Sequence, residues 1–235
     1  MTDKGDPAPD DRLTRTDEMA IADGRSRRRL PPEVRRDEIL AAALAVFSEL
    51  GFGRATLNDV AERAGVTKGA VYHYFESKEQ LFIALLRERL MPHIEAGEEL
   101  LATTTGPREQ LLRELLTRTW EHYQQPGQIE LAILAMNELP KIPEVGRILF
   151  DEVVQRGRRM MKQALARGVE RGEIPSCDID AAAAVVPYMI MGVALGHRLF
   201  RGIDPLTLSA ERLGVAAQAV LLRGVGAGDD NEGCG

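Results

Sequence analysis

The sequence predicts an all-α fold. Three observations carry this. Apolar residues recur at three- and four-residue spacing in about nine segments. No segment alternates apolar and polar residues as a half-buried strand would. Gly, Pro and Ser/Thr/Asp residues punctuate the chain at helix-length intervals, where caps and breaks belong.

The elements follow in order. Residues 1–30 are polar, rich in Asp and Arg, and read as a disordered arm ending in Arg25, Arg27, Arg28 and Arg29. After Pro31-Pro32, the residues Ile39, Leu40, Ala43, Leu44, Phe47 and Leu50 fall on one face of a first helix, which Gly51 caps. Thr56-Leu57-Asn58-Asp59 has the form of a capping box and opens a short second helix that Gly65 ends. Thr67 caps a third short helix with Val71 and Phe75 inside. Ser77-Lys78-Glu79-Gln80 opens a long fourth, which Pro92 and Gly97 are expected to bend or weaken.

Leu111, Leu112, Leu115, Leu116, Trp120 and Tyr123 form the face of a fifth helix, and Pro126-Gly127 a turn. Ile129 to Leu139 is a sixth, closed by Pro140. A long seventh runs from about Pro143 to Gly172. Asp178 caps an eighth, which contains Pro187, and a ninth spans about Leu206 to Leu222. Residues 224–235 read as a disordered tail.

The chain has 235 residues, 44% hydrophobic and 28% charged, enough for one or two domains with a real core. About 18 unbroken apolar residues occur nowhere, and the first 30 hold no apolar core region. The expectation is therefore no membrane span, no signal peptide and a cytoplasmic protein. Cys177 and Cys234 cannot form a disulfide framework and lie in no metal-ligand spacing; neither a metal nor a cofactor is expected. Net charge is −6, but unevenly spread. Residues 1–24 carry −4, residues 25–90 carry +3 and residues 91–235 carry −5. A basic segment inside an acidic chain suggests nucleic-acid contact by one part only.

That part contains two short helices joined by a tight glycine turn, the spacing of a helix-turn-helix. On a wheel at 100° per residue, Val71, Phe75, Thr67 and Tyr74 gather inward. Gly69, Ala70, Tyr72 and His73 face out, with Lys68 at the edge. Gly and Ala let a backbone come close to DNA. Tyr72 and His73 can reach phosphates or base edges, and Lys68 and Lys78 can neutralise phosphates.

The run from Thr56-Leu57-Asn58-Asp59 through Gly65, Tyr72-His73-Tyr74-Phe75 and Ser77-Lys78-Glu79 closely resembles the signature of TetR-type transcriptional regulators. The likeness extends over about Glu33 to Leu86. Past Leu90 only helix number and lengths are similar. The resemblance implies a homodimer, usually a repressor, on a palindromic double-stranded DNA operator, with a small-molecule effector in the C-terminal helices shifting the spacing of two reading heads. It puts DNA contacts at Thr56, Lys68, Gly69, Tyr72, His73 and Lys78, to which the residue reading adds Thr67 and Ala70. The implied division is an arm (1–30), a helix-turn-helix domain (31–78), an effector-binding and dimerisation domain (79–223) and a tail (224–235). Helices at about 178–201 and 206–223 are expected at the dimer interface, where Gly192 and Gly196 allow close approach.

Trp120, Tyr123, Met136, Asn137, Phe150, Tyr188 and Met191 are the candidates for an effector pocket, apolar and aromatic with one amide. His93, His122 and His197 have no ligand partner four residues away and read as structural or surface groups. Other readings are a helical effector-binding or scaffolding protein with a vestigial DNA module, and an enzyme acting in the C-terminal bundle. The chain holds no Gly-x-Ser-x-Gly elbow and no His-Glu-x-x-His, and Gly224 to Gly228 ends the chain rather than opening a helix, so an enzyme is not expected.

Overall fold

The computed structural model describes residues 31–174, 178–203 and 208–226. The basic run at 25–29, the rest of the arm, Cys177, Cys234 and the tail from 227 lie outside the described residues. Among the described residues there are nine helical segments and no strand.

Helices α1 (Pro32–Leu50), α2 (Leu57–Arg63) and α3 (Lys68–Tyr74) lead into the long α4 (Lys78–Thr103). Then come α5 (Arg108–Gln124) and α6 (Gln128–Glu138). Helix α7 begins as Pro143–Arg147, widens to π-helical hydrogen bonding over Ile148–Val154 and returns to α-helix over Gln155–Glu170. Helices α8 (Ile179–Leu199) and α9 (Ala210–Gly226) complete the chain.

The caps explain most of these limits. Thr56 and Asp59 form a reciprocal capping box at α2: the Asp59 amide donates to Thr56 Oγ1, and the Thr56 amide donates to Asp59 Oδ2. Those bonds to Thr56 hold the Asp59 carboxyl below its usual pKa. Helix α2 ends with Gly65 at φ 64°, the Gly65 amide on Glu62 O and the Val66 amide on Ala61 O, a Schellman ending that needs a left-handed residue at this point. Thr67, Ser77 and Asp178 cap α3, α4 and α8 with side-chain oxygens.

Two expectations change. Helix α4 runs unbroken through Pro92 and Gly97. Gly97 is buried, and a Cβ there would stand 2.8 Å from Met160 Sδ. That glycine is the point where α7 crosses α4 closely, not a weak spot. Helix α9 begins at Ala210, with Ser209 Oγ accepting from the Arg212 amide, later than the expected Leu206; positions 204–207 lie outside the described residues.

Two cores form. The first joins α1–α3 to the first half of α4, and also takes in Leu131, Leu134 and Ala135 from α6 and Val145 and Ile148 from α7. Phe47, Phe52 and Phe82 meet there with ring centroids 5.1–5.8 Å apart. The second joins the far half of α4 to α5, α7, α8 and α9. Ion pairs run along α4: Arg36 to Glu88, Arg87 to Glu152, and a two-bonded Arg156–Glu98 pair. A direct contact between the two halves lies at Gly127, whose φ is 83°; a Cβ there would fall 2.6 Å from Leu44 Cδ2 on α1.

Candidate nucleic-acid interface and internal cavity

The α2–turn–α3 unit stands on Val60, Ala61 and Val71, all buried in the first core. A two-bonded Arg63–Glu49 pair ties α2 back to α1. What α3 leaves outside is the set Thr67, Lys68, Gly69, Tyr72 and His73, all exposed, with Ala70 half-buried beside them. Thr56 is exposed at the start of α2. Thr67 therefore faces out rather than in, because its side chain serves as the cap and accepts from the Ala70 amide. A Cβ at Gly69 would meet no atom of the chain within 4 Å. The glycine thus answers no packing need of this chain. Lys68 Nζ lies 5.5 Å from the Tyr72 ring centroid, so cation and ring share one face of the helix.

Lys78 is held within the chain. Its ammonium donates to Phe52 O at 2.6 Å, Ala55 O at 2.9 Å and Gly53 O at 3.3 Å, and it lies 4.5 Å from the Phe52 ring centroid. All three protons are used, so this lysine fastens the start of α4 to the α1–α2 turn.

The second feature is an internal cavity of about 370 Å³, within the range of about 300–1,000 Å³ usual for small-molecule sites. It lies between α4, α5, α6, α7 and α8. The π-helical turn contributes Leu149, Phe150, Val153 and Val154 to its wall; such turns are often found at functional sites. Of the sequence candidates, Tyr123, Met136, Phe150, Tyr188 and Met191 line it.

Trp120 and Asn137 do not line it. Trp120 is buried against α9, where a Cβ on Gly214 would stand 2.5 Å from its Nε1. Asn137 is exposed on the outer side of α6. A larger cleft of about 1040 Å³, lined by the α5–α6 turn, the end of α8 and the start of α9, includes His197 and the Arg198–Glu130 pair. It is the more open of the two.

Five polar residues at the cavity are not among the sequence candidates: His93, Thr119, His122, Gln128 and Arg158. The two imidazoles stack with centroids 4.4 Å apart, one from α4 and one from α5. Burial, then the neighbouring His93, push the His122 pKa down to about 4. Burial and the charge of Arg118 lower that of His93. Burial alone pushes the Tyr123 hydroxyl up to about 12. All three are uncharged at neutral pH. Among the described residues no His/Cys/Asp/Glu group is arranged to hold a metal. A signal for the histidines was present: His93 continues the buried stripe of Leu86 and Leu90, and His122 that of Leu115 and Thr119.

Comparisons with known proteins agree with this geometry. The model of bacterial regulatory proteins of the TetR family matches residues 39–85, and that of the AefR-like transcriptional repressor C-terminal domain matches residues 110–222. The chain is 28% identical over 196 residues to the HTH-type transcriptional repressor KstR2 of Mycolicibacterium smegmatis, covering 83% of this chain and 92% of that one. It is similar in fold to a transcriptional regulator from Pseudomonas aeruginosa, at TM-score 0.71 and 21% identity, over 85% of this chain and 93% of that one. It is similar also to SmeT in its triclosan complex, at TM-score 0.68 and 22% identity, over 81% and 91%. These relatives are regulators of transcription rather than enzymes. A helix-turn-helix carried on a helical body with an apolar cavity, matched by both family models, makes this chain a member of the TetR family of bacterial transcriptional regulators.

Proposed function

We propose that this protein is a cytoplasmic transcriptional repressor that binds a palindromic operator as a homodimer and releases it when a small molecule fills the cavity of its helical body. The observation that carries the DNA reading is the outer face of α3. Lys68, Gly69, Tyr72 and His73 are exposed together, and Gly69 leaves open space that nothing in the chain uses. Backbone can come close to the groove at Gly69, Lys68 reaches phosphate, and His73 reaches a base edge. Thr56, Thr67 and Ala70 flank that face.

The dimer is supported by α8 and α9. Val185, Met189, Val215 and Val220 are 41–65% exposed apolar residues on these two helices, and Met189 and Val220 line one shallow apolar groove between them. Helix α8 is long and apolar enough to cross a membrane by length and composition, yet only 22% of it is buried within one chain. Pairing with a second copy covers that face, and a Cβ at Gly192 or Gly196 would meet nothing within 4 Å, which leaves room for it. Two-fold symmetry then presents two copies of α3 to successive major grooves, about 34–36 Å apart.

Effector binding has a structural route to the heads. Leu86, Leu90, His93 and Ile94 bring α4 to the cavity, and Lys78 at its start grips the α1–α2 turn. A ligand that parts α4 from α7 moves the head with α4, for a coupling of about 1–3 kcal/mol as is usual between two sites. SmeT, a fold neighbour, was solved with triclosan, which supports a small-molecule role for the body of this fold.

The test is a mobility shift of the purified protein on DNA from its own promoter region at controlled salt, with its mass in solution measured alongside. A saturable, sequence-specific shift by a dimer supports the proposal. A folded monomer with no shift on any genomic fragment refutes it.

A further inference from the structure

The cavity walls are mostly apolar, so the few polar atoms that reach it decide what it accepts. Exposure orders them. Phe150 and Tyr188 line the cavity yet are 48% and 44% exposed, so they stand at its mouth. Gln128 and His122, 4% and 7% exposed, stand at its closed end.

Arg158 belongs to the mouth. Its guanidinium lies 5.9 Å from the Phe150 ring centroid and 5.6 Å from that of Tyr188, and it donates to the Tyr188 hydroxyl at 3.2 Å. Its Nε–H is buried without an acceptor, and no ion pair is formed by it among the described residues. Its neighbour Arg156, by contrast, is closed by Glu98. A guanidinium presents its donors in a planar fork, and most of this fork is unused. At the closed end Gln128 Oε1 is buried and has no donor, while its Nε2 makes one long contact of 3.5 Å to Arg89 O. The stacked imidazoles beside it, uncharged, each carry one N–H and one bare nitrogen. Buried polar atoms without partners are rare, and each calls for a ligand or a water.

Two classes are excluded by composition. Among the described residues no Asp or Glu lines the cavity, so a cationic ligand finds no counter-charge there. Among the described residues Arg158 alone of the lining carries full positive charge at neutral pH, so a polyphosphate is not matched either.

We infer that the cavity binds an amphipathic carboxylic acid that carries a hydroxyl at its far end. The carboxylate takes the free fork of Arg158, which suits two parallel N–H···O bonds. The apolar body runs along Leu116, Leu131 and Met161, and the hydroxyl donates to Gln128 Oε1. This rests on the cavity being the effector site.

Calorimetric titration of the full-length protein with ω-hydroxydecanoate, decanoate and the uncharged decane diol tests it, on wild type, Arg158→Gln and Gln128→Leu. Operator affinity and the melting curve of each unliganded variant check that it folds. The hydroxy acid binds wild type most tightly. Arg158→Gln weakens both acids by about ten- to a hundred-fold, the usual loss for a charged hydrogen-bonded pair, and leaves the diol unchanged. Gln128→Leu leaves decanoate unchanged and removes the preference for the hydroxy acid. Equal binding of diol and acids, or acids indifferent to Arg158→Gln, overturns the carboxylate assignment while leaving the cavity an effector site. No binding of any of the three by a wild type that still binds its operator overturns the inference and the effector role of the cavity together.

Discussion

Replacing Gly69 by Ala separates a residue kept for DNA from one kept for the fold. In the free protein the added methyl has nothing within 4 Å. Gly69 is helical and its φ is not positive, so Ala suits the backbone. Helix propensity then predicts a gain of up to about 0.5–1 kcal/mol in stability. On the operator the same methyl enters the space between α3 and the groove. Overfilling a tight contact costs about 1–3 kcal/mol, which is roughly 5- to 150-fold in affinity per reading head. No charge changes, so the slope of log affinity against log salt stays that of wild type. Urea denaturation gives the first quantity, and fluorescence anisotropy on labelled operator at several salt concentrations gives the other two. A stabilised variant with full operator affinity would remove this face of α3 from the interface. A destabilised variant would mean that the fold itself needs the glycine, and the close-approach argument would fall.

Other expectations follow from single contacts. Lys78→Met frees three carbonyls and is expected to cost about 1–3 kcal/mol in a urea melt, with the salt slope for operator binding unchanged; a lower slope would restore its phosphate role. Lys68→Ala, with its ammonium exposed, is expected instead to lower that slope by about 0.9 for each phosphate lost, with little change in stability. Gly214→Ala sets a Cβ 2.5 Å from the rigid Trp120 indole, so it costs about 1–3 kcal/mol and shifts the emission of the chain's single tryptophan; an unshifted spectrum would contradict that packing.

His122 titrates near 6.5 when unfolded but at about 4 when folded, so the unfolded chain binds its proton first. Its contribution is flat above about pH 7. It erodes stability by up to about 3 kcal/mol as pH falls from 6.5 to 4, and His122→Phe flattens this part of the profile. Parallel wild-type and variant profiles would show that the group is not buried neutral. Val220→Glu puts a charge on the exposed apolar face of α9 and is expected to give folded monomers by sedimentation; an intact dimer would place the interface elsewhere.

The sequence read unevenly, for physical reasons. The caps at Thr56, Thr67, Ser77 and Asp178 are local chemistry, since the capping oxygen and the amides it meets lie within three residues, so those helix starts were visible directly. The outward face of α3 follows from a wheel for the same reason. Lys78 could not be read this way, because its acceptors lie 23–26 residues back and meet it only after α1 and α4 pack. Gly97 misled because a glycine at a helix crossing and one at a helix break look alike along the chain. The pairing of His93 with His122 depends on α4 and α5 lying side by side, while the search of the sequence had been for ligands on one helix. Residue type alone points Trp120 to a pocket, whereas Gly214 on α9 explains where it packs.

The meeting of Leu44 and Gly127 bears on how such a regulator can diversify. Position 127 is constrained twice, by a left-handed backbone and by a leucine methyl seated where its own side chain would begin. The next residue, Gln128, already faces the cavity. Walls such as Met136 or Leu139 can therefore drift and admit new molecules one substitution at a time. Position 127 stays glycine whatever stands at 44, because its left-handed backbone disfavours any side chain. Selection for a new inducer thus has a wide field of tolerated steps beside a narrow one, and descendants of this chain would keep the same turn while trading ligands.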